Sequence, residues 1–463
     1  MVVNSSSSMQ QLLCHDSESS ALLQFKQSFL IDEDASYDPS AYPKVAMWKS
    51  HGEGEGKESD CCSWDGVECD RETGHVIGLH LASSCLYGSI NSNSTLFSLV
   101  HLQRLNFSDD DFNCSVILFG VGNQSLRNVA SCWYKFFRYT KFKFLGLDAC
   151  NLTKIPDFLQ KQDELKFLSL SNNKIHGPIP KWMRNISKET LEYLDLSGNF
   201  LTGFDQPPVV LPWSRIPQCL ANFSKSLFVL DLGNSHLDGP IPQTCTVPNN
   251  LRVIDLGENQ FQGQIPRSFA NCMMLEHLVL GNNEIDDIFP FWLGALPQLQ
   301  VLILRSNRFH GAIGSWHANL RFPKLRIIDL SGNEFIGDLP SMYFQNWDAM
   351  KLADANHLEY MRVNQDIQSA GHTYTFNYMY LMTMTNKGMQ RFYEEIPDIF
   401  IAIDFSGNNF KGQIPTSIGN LKGLHLLNLG SNNLTGLIPS SLANLTQLES
   451  LDLSQNKLLG EIP

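Results

Sequence analysis

Large apolar residues recur along the chain in a fixed pattern with small polar residues. Leu165, Leu168 and Leu170 are followed by Asn173 and then by a Gly-Pro-Ile-Pro stretch that begins at Gly177, which gives LxxLxLxxNxLxGxIP. Apolar and polar residues alternate before the asparagine, as in a short β-strand whose side chains point to opposite faces. We expect the leucines to be buried. We expect the asparagine amide to donate to and accept from backbone groups that would otherwise be buried unpaired.

The same pattern repeats through most of the chain. The asparagine position recurs at Asn199, Ser235, Asn259, Asn283, Asn307, Asn333, Asn408, Asn432 and Asn456. Several of these spacings are 24 residues, which together with the pattern is the leucine-rich-repeat signature. The predicted fold class is α/β, a leucine-rich-repeat solenoid with a curved parallel β-sheet on its concave face. A chain of 463 residues suggests about three domains, but one repeat cannot bury its leucines alone. We therefore expect one cooperative array.

The segment before the repeats divides into two parts. Residues 1–13 lack the charged region and the long apolar region of a signal peptide, and we interpret them as the remnant of a leader. Residues 14–74 predict a cap for the end of the solenoid. Within the cap, residues 18–26 have the pattern of an amphipathic helix, with Asp16 or Ser17 as its N-cap.

Four cysteines lie in this cap. Cys14, Cys61, Cys62 and Cys69 allow three disulfide connectivities. Adjacent cysteines are poorly placed to bond each other, which favours the Cys14–Cys61 and Cys62–Cys69 pairs. The alternative is a zinc site, but the spacing lacks the paired CxxC motif of such sites. We expect a disulfide-bonded cap and no metal.

Two segments interrupt the repeats predicted over 75–340. Residues 110–144 are irregular and mix aromatic with basic side chains at 133–139, as a nucleic-acid-binding patch does. Residues 204–214 are rich in proline. The formal net charge of −13 argues against a nucleic-acid partner, because phosphates need a basic surface. A degenerate repeat explains the first segment better.

A longer insertion separates Asn333 from Asn408. The segment 341–398 contains seven of the 13 methionines and six of the 12 tyrosines, with only three leucines. Residues 373–385 predict a strand, and residues 389–393 predict a second strand that returns after a turn. Methionine and tyrosine suit an adaptable contact surface. A folded spacer explains this island equally well.

The outward positions of the predicted strands identify candidate contact residues. Most repeats carry an aspartate between the two inner leucines, and its recurrence favours a structural role. Two successive repeats instead present His277 with Val279, and Ile303 with Arg305. This apolar and basic patch suits a partner's carboxylate or apolar side chain, although ordinary drift explains it as well. The candidate ligand-binding residues, from this patch and from the island, are His277, Arg305, Tyr378, Tyr380 and Lys387.

Surface chemistry predicts the compartment. Ten N-x-Ser/Thr sequons together with the cysteine cap indicate a secreted glycoprotein. The chain has no run of about 18 apolar residues, so we expect no membrane span.

Repeats resume over 399–463 and stop in mid-repeat, so we expect the array to be cut off and its exposed core residues to favour aggregation. The glycosylation candidates are Asn93, Asn106, Asn113, Asn151, Asn185, Asn222, Asn433 and Asn444.

No motif predicts catalysis. Residues 52–57 resemble a phosphate-binding loop but lack its glycine spacing and the Ser/Thr that should follow Lys57. The HExxH, GxSxG and kinase HRD motifs are missing from the sequence. We therefore expect a non-enzymatic protein without a cofactor.

Three motifs resemble plant extracellular leucine-rich-repeat proteins: the helix ESSALLQFK, the segment DCCSWDGVECD and the LDLSxNxLxGxIP repeats. The stretch FLGLDACNLTKIPDFL and the TNKGM-containing island are similar, more narrowly, to receptor-like proteins of the disease-resistance class. The resemblance implies a solenoid followed by one transmembrane helix and a short tail without a kinase. It also implies a peptide or protein ligand, a co-receptor kinase as partner, a role in defence or development, and the extracellular side of the plasma membrane.

A second function class resembles the first in cap and repeat. Polygalacturonase-inhibiting proteins are secreted leucine-rich-repeat inhibitors of cell-wall hydrolases. The resemblance implies that such short inhibitors lack an island, whereas the receptor-like class has one. The insertion over 341–398 therefore favours the receptor.

Overall fold

The computed structural model describes residues 13–36, 38–49, 60–88, 94–110, 140–187, 189–204, 226–241, 249–314, 321–351, 359–369 and 372–461. The aromatic and basic stretch at 133–139, most of the proline-rich segment and the loop at 52–57 lie outside these residues. The described chain divides into two compact units. The first comprises Met1–Gly177 and Ile186–Leu191, and the second Pro178–Asn185 and Glu192–Pro463. Each repeat of a solenoid contacts mainly its neighbours, so such a division is compatible with the repeat architecture.

The first unit consists of the cap and the first repeats. Strand β2 pairs antiparallel with β3, and β3, β5, β6 and β7 follow in parallel. Short 3-10 helices lie between several of the strands in sequence. The elements are α1 (Asp16–Lys26), β1 (Phe29–Ile31), β2 (Val67–Cys69), β3 (Val76–His80), β4 (Leu86–Gly88), β5 (Arg104–Asn106), β6 (Phe144–Gly146), β7 (Phe167–Ser169) and, at the boundary, β8 (His176–Ile179).

Helix α1 begins earlier than the sequence predicts. His15 is its N-cap and makes no side-chain capping bond, so the prediction of Asp16 or Ser17 as cap is wrong. Asp16 and Glu18 instead lie in the first turn, where their negative charges interact favourably with the positive end of the helix dipole. The Glu18 carboxylate also accepts a hydrogen bond of 3.0 Å from the backbone N–H of Val76, which joins the helix to β3.

The second unit contains most repeats and the island. Among its described residues, the strands of the main sheet follow in the parallel order β9-β11-β13-β15-β17-β19-β25-β27-β29. The elements are β9 (Tyr193–Asp195), β10 (Phe200–Phe204), β11 (Val229–Asp231), β12 (Asp238–Pro240), β13 (Val253–Asp255), β14 (Gln260–Gly263), β15 (His277–Val279), β16 (Glu284–Ile285), β17 (Val301–Ile303), β18 (His310–Ala312), β19 (Ile327–Asp329), β20 (Glu334–Asp338), α2 (Ser341–Asn346), β21 (Arg362–Ser369), β22 (His372–Met379), β23 (Met382–Asn386), β24 (Met389–Tyr393), β25 (Ala402–Asp404), β26 (Asn409–Gly412), β27 (Leu426–Asn428), β28 (Asn433–Leu437), β29 (Ser450–Asp452) and β30 (Lys457–Leu459).

The repeat pattern explains the core. Leu165, Leu168 and Leu170 are fully buried, as predicted, because they occupy the inner positions of one repeat. The intervening serines, Ser169 and Ser171, point away from the leucines and donate hydrogen bonds to Asp148 of the preceding repeat. Strand β19 pairs directly with β25, so the sheet continues across the long insertion between them. The predicted leucine-rich-repeat fold is confirmed.

Buried asparagines join the repeats in the predicted way. The Nδ2 group of Asn283 donates to the carbonyl oxygens of Leu256, Leu280 and Gly281 at 3.0–3.2 Å. Its Oδ1 atom accepts from the backbone N–H of Phe261 at 2.9 Å. One side chain thus satisfies four backbone groups in two repeats. The same arrangement recurs at Asn259, Asn307, Asn333, Asn408, Asn432 and Asn456.

Candidate recognition surface

The outward face of the second unit's main sheet, here called the sheet face, carries a ladder of aspartates. In-register pairing places Asp231 beside Asp195 and Asp255, and Asp329 beside Asp404. Each of these carboxylates binds the backbone two residues ahead, and Asp329, for example, accepts from the N–H and the hydroxyl of Ser331. These bonds support the structural role that the recurrence of the aspartates suggests. They tie each carboxylate to its own repeat.

Burial changes the acidity of this ladder. It raises the pKa of Asp231, Asp255 and Asp329 to about 7, because a buried carboxylate is less stable when charged. The neighbouring carboxylates Asp255 and Asp404 raise the pKa of Asp231 and Asp329 further. A charged and a neutral form of the ladder are therefore both accessible near neutral pH.

The ladder is broken where the sequence predicts the apolar and basic patch. Val279 and Ile303 occupy aspartate positions in β15 and β17, and His277 lies beside Val301 in the register. Arg305 follows β17 and lies over Gly281. A Cβ atom on Gly281 would come within 2.8 Å of Cγ of Arg305, so the glycine provides the space that the arginine occupies.

The island forms two antiparallel hairpins. Strand β21 pairs with β22, and β23 pairs with β24. The predicted strand at 389–393, which returns after a turn, is confirmed: Lys387 and Gly388 form the two-residue turn, and both have the positive φ values of a type I′ turn. The prediction of one continuous strand over 373–385 is wrong. The β-structure is interrupted between Met379 and Met382, and the strand before this interruption, β22, pairs with β21.

The hairpins lie on the sheet face and contact it through specific polar groups. The hydroxyl of Tyr378 donates to Oδ2 of Asp231 at 2.9 Å. The hydroxyl of Tyr380 donates to Oε2 of Glu276 at 2.7 Å.

Further contacts extend along the sheet. The Tyr380 ring stacks on His277 with 4.7 Å between the ring centroids. Arg305 donates through one terminal nitrogen to the carbonyl oxygen of Thr383 at 2.8 Å. The backbone N–H of Lys387 lies 3.3 Å from the hydroxyl of Ser450. The island therefore covers strands from β11 to β29.

Four of the five candidate ligand-binding side chains are buried in this contact. His277 and Tyr380 are 0% and 1% exposed, and Arg305 and Tyr378 are 7% and 8% exposed. These four side chains are therefore not accessible to a ligand while the island is in place, because the island folds onto the strands, which the sequence alone does not show. Lys387 alone of the five is exposed.

Some buried polar atoms on the sheet face have no partner. Among the described residues, neither ring nitrogen of His277 forms a hydrogen bond, and the same holds for Nε of Arg305 and Oδ2 of Asp329. Burial lowers the pKa of His277 to about 3, so its ring is neutral. A buried polar group without a partner destabilises the state that buries it.

The outer side of the island carries exposed apolar residues that the sequence reasoning did not select. Met389 and Phe392 on β24 are exposed, and so is Tyr360 at the base of the island. Met389 and Phe392 lie in the predicted returning strand, whereas Tyr360 lies outside it. Large apolar side chains that share one exposed strand are typical of contact surfaces.

The cysteine cap has the predicted connectivity. Cys14 bonds Cys61, and Cys62 bonds Cys69. The four sulfur atoms lie within 4.8 Å of one another, a cluster dense enough to hold a metal ion. Zinc requires thiolates, however, and all four sulfurs are engaged in disulfides. The cap is thus covalently crosslinked.

The sequons differ in accessibility. Asn433 and Asn444 are exposed, whereas Asn106 and Asn151 are half-buried. Asn93, Asn113 and Asn222, and the side chain of Asn185, lie outside what the structure describes. Glycosylation at all eight positions stays a prediction.

Among the described residues, no helix combines the length and apolar character that crossing a membrane requires.

Family models match both parts of the chain. The Leucine rich repeat N-terminal domain model matches residues 15–70. The Leucine rich repeat model matches 249–309, 274–335 and 402–458, and a second Leucine Rich Repeat model matches 164–186 and 190–209. These matches cover the disulfide cap and the regular repeats.

Curated relatives from Arabidopsis thaliana align with well over half of the chain. Receptor-like protein 18 is 37% identical over 369 residues, which cover 76% of this chain and 42% of that protein. Receptor-like protein 34 is 41% identical over 325 residues, which cover 62% of this chain and 32% of the relative. Receptor-like protein 7 is 42% identical over 355 residues, with coverages of 62% and 35%. The chain thus spans less than half the length of these relatives.

Solved structures share the fold. The crystal structure of PEPR1-AtPEP1 matches 97% of this chain and 46% of that chain, with 25% sequence identity and a TM-score of 0.56. The ectodomain of the plant membrane receptor kinase GASSHO1/SCHENGEN3 from Arabidopsis thaliana matches 96% of this chain and 48% of that chain, with 23% identity and a TM-score of 0.60. Both likenesses extend over almost the whole of the present chain.

Proposed function

Since the chain belongs to the plant extracellular leucine-rich-repeat receptor-like proteins, we propose that it is a non-enzymatic recognition ectodomain that binds a peptide or protein signal. The relatives that align with this chain are named receptor-like proteins. A peptide or protein as the ligand class follows from the resemblance to the receptor-like class. In this proposal, the ligand binds to the second unit.

The observation that carries this proposal is the contact between the island and the sheet face. A plain solenoid repeats one surface, whereas the island adds long polar and apolar side chains at the strands where the aspartate ladder is broken. Rigid repeats that position a variable insertion are well suited to recognition, because the scaffold holds the contact residues in place. Lys387 and Phe392 on the exposed side of the island are accessible to a ligand.

The finer parts of the proposal follow the resemblance. The signal would pass to a co-receptor kinase, because the family's tail has no kinase of its own. The chain would lie on the extracellular side of the plasma membrane and act in defence or development. Its exposed sequons at Asn433 and Asn444 would carry glycans.

The test is ligand-dependent association. The secreted chain is immobilised and exposed to fractionated peptides from plant extracellular fluid, and the binding of a co-receptor kinase ectodomain is then measured with and without each retained peptide. We expect one fraction both to bind the chain and to strengthen the association with the kinase ectodomain.

A matched pair of variants localises the effect. Lys387→Glu reverses the charge of the exposed residue in the island turn, whereas Lys411→Glu makes the same change on β26, away from the sheet face. We expect the first variant to lose at least about tenfold in peptide affinity and the second to behave as the wild type. Absence of any retained peptide, or association with the kinase ectodomain that is independent of peptide, contradicts the proposal.

A further inference from the structure

The island uses only a few chemical features to bind the sheet face. Two phenol hydroxyls reach the carboxylates of Asp231 and Glu276, one aromatic ring stacks on His277, and one backbone carbonyl accepts from Arg305. The island residues that supply these features lie within the short stretch 378–383. Any extended peptide with two tyrosines at this spacing presents the same features.

The fit of the island to this face is incomplete. Both ring nitrogens of His277, Nε of Arg305 and Oδ2 of Asp329 are buried without a partner among the described residues. All three side chains are at least nine-tenths buried, and His277 and Arg305 contact the island directly. A segment that pairs these atoms in addition would bind the face better than the island does, because an unpaired buried polar group opposes binding.

We propose that the sheet face around Asp231, Glu276, His277 and Arg305 is a binding site for an extended tyrosine-containing peptide segment, and that the island occupies this site as an internal competitor. The proposal rests on the recognition function above and names the ligand class. The external segment displaces β22 and β23 and places its own tyrosine hydroxyls on the two carboxylates.

Tyrosine, rather than phenylalanine, is required by the two acceptors. Asp231 is buried, and its Oδ2 atom accepts from the phenol of Tyr378 alone among the described hydrogen bonds. A phenylalanine at that position would leave this oxygen without a hydrogen-bond donor. A site that binds a hydroxyl discriminates strongly against a ligand that lacks it. Arg305 adds recognition of a backbone carbonyl, for which Gly281 supplies the space.

Internal competition lowers the apparent affinity for the external segment. The site is accessible only in the fraction of molecules in which the island is displaced, and the apparent affinity falls by that fraction. Loosening the island should therefore strengthen binding in trans. The exposed residues Lys387 and Phe392 can contact the same ligand before displacement.

The experiment uses the full chain and a synthetic peptide of residues 374–387, labelled with fluorescein and amidated. Tyr378→Ala combined with Tyr380→Ala loosens the island, and Gln390→Ala changes an exposed island residue to which no ligand contact is assigned. Fluorescence anisotropy measures peptide binding. We expect the loosened variant to bind at least about tenfold more tightly than the wild type and the Gln390→Ala control.

A second peptide carries phenylalanine at both tyrosine positions. We expect it to bind the loosened variant at least about tenfold more weakly. Glu276→Ala on the loosened background should remove part of this preference. Glu284→Ala should leave the preference intact, because Glu284 pairs with Arg308 outside the sheet face. Equal binding of the two peptides, or no binding by a folded loosened variant, overturns the proposal.

Hydrogen exchange in the wild-type chain gives an answer that does not depend on the loosened variant. Excess tyrosine peptide should accelerate amide exchange over 372–386, because it displaces β22 and β23. Unchanged exchange at a saturating peptide concentration overturns the proposal. These measurements use neither the natural ligand nor a kinase, so their failure is distinguishable from failure of the recognition function.

Discussion

The ring of Tyr380 lies parallel to that of His277, with 4.7 Å between centroids and 12° between planes, although neither nitrogen of the histidine has a partner among the described residues. His277→Phe retains the stack and removes two unpaired polar atoms. We expect it to raise the free energy of unfolding by about 1–2 kcal/mol in urea titrations at neutral pH. His277→Ala removes the stacked ring and should lower it by roughly 2–4 kcal/mol. Destabilisation by both variants would contradict this account.

The two island tyrosines should differ in their contribution to stability. Tyr378→Phe leaves Oδ2 of Asp231 buried without a donor, which costs about 1–3 kcal/mol. Tyr380→Phe costs about 1 kcal/mol or less, because Glu276 retains Gln300 and Arg252 as neighbours. Urea titration of both variants measures the order. A larger loss for Tyr380→Phe would show that Asp231 is satisfied in another way.

Asp329 should make the second unit more stable in acid. Its pKa is about 7 in the folded chain against an ordinary value of 3.8. Folding therefore favours the neutral form of the Asp329 carboxyl. This carboxyl contributes fully to the stability of the folded state below about pH 4, and its contribution is lost as the pH rises through about 7. His277, with its pKa lowered to about 3, acts in the opposite direction, and its contribution is lost as the pH falls below about 6.5.

Asp329→Asn isolates the acidic contribution. The amide keeps the bonds to Ser331 and can donate to Asp404, as Asn428 already does at 3.1 Å. We expect the variant to exceed the wild type by roughly 1–3 kcal/mol above about pH 7.5 and to match it below about pH 4. Melting temperatures across this range check the difference, and a constant difference would exclude titration of Asp329 as its cause.

Gly281 should control the position of Arg305. Gly281→Ala places a Cβ atom 2.8 Å from Cγ of Arg305 and 3.3 Å from Cγ2 of Ile303, so the arginine must move away from the carbonyl of Thr383. We expect faster amide exchange in β23 and β24. Gly314→Ala is the matched control, because no atom lies within 4 Å of its added Cβ. Equal exchange in the two variants would show that Arg305 does not hold the hairpin.

The two disulfides of the cap should contribute unequally. Cys14–Cys61 closes a separation of 47 residues and Cys62–Cys69 one of 7. Loop-closure entropy predicts a loss of about 4 kcal/mol for Cys14→Ser with Cys61→Ser, and about 2.5 kcal/mol for the other pair. Unfolding of the first unit, followed by Trp48 and Trp64 fluorescence, measures the two values. A larger effect of the short loop would point to native strain instead.

The repeat was predictable because its residues encode local geometry. Leu278 and Asn283 recur at fixed offsets, and their burial and hydrogen bonds depend only on adjacent repeats. The adjacency of Cys61 and Cys62 argued against a bond between them, and the pairing favoured from the sequence is the observed one. Strand β21 was missed, because the sequence RVNQDIQS carries many polar residues and forms a strand only against its partner. Its stability comes from pairing, which periodicity does not report.

The site was only partly predictable for a related reason. The outward positions of His277 and Arg305 follow from the repeat register, and the hairpin turn at Lys387 follows from local turn chemistry. The contact between Tyr378 and Asp231 joins residues 147 positions apart. Nothing in the local pattern determines where a hairpin packs, so side chains expected to be exposed were instead buried.

Direct pairing of β19 with β25 fixes the two ends of the insertion on adjacent strands, whatever lies between them. The entropy of closing such a loop rises only with the logarithm of its length, by about 0.6 kcal/mol for each doubling. Insertions of very different length and sequence can therefore be exchanged at this junction with little change in the stability of the repeats. The junction gives evolution a position at which binding specificity can vary quickly while the leucines and asparagines of the scaffold stay constant.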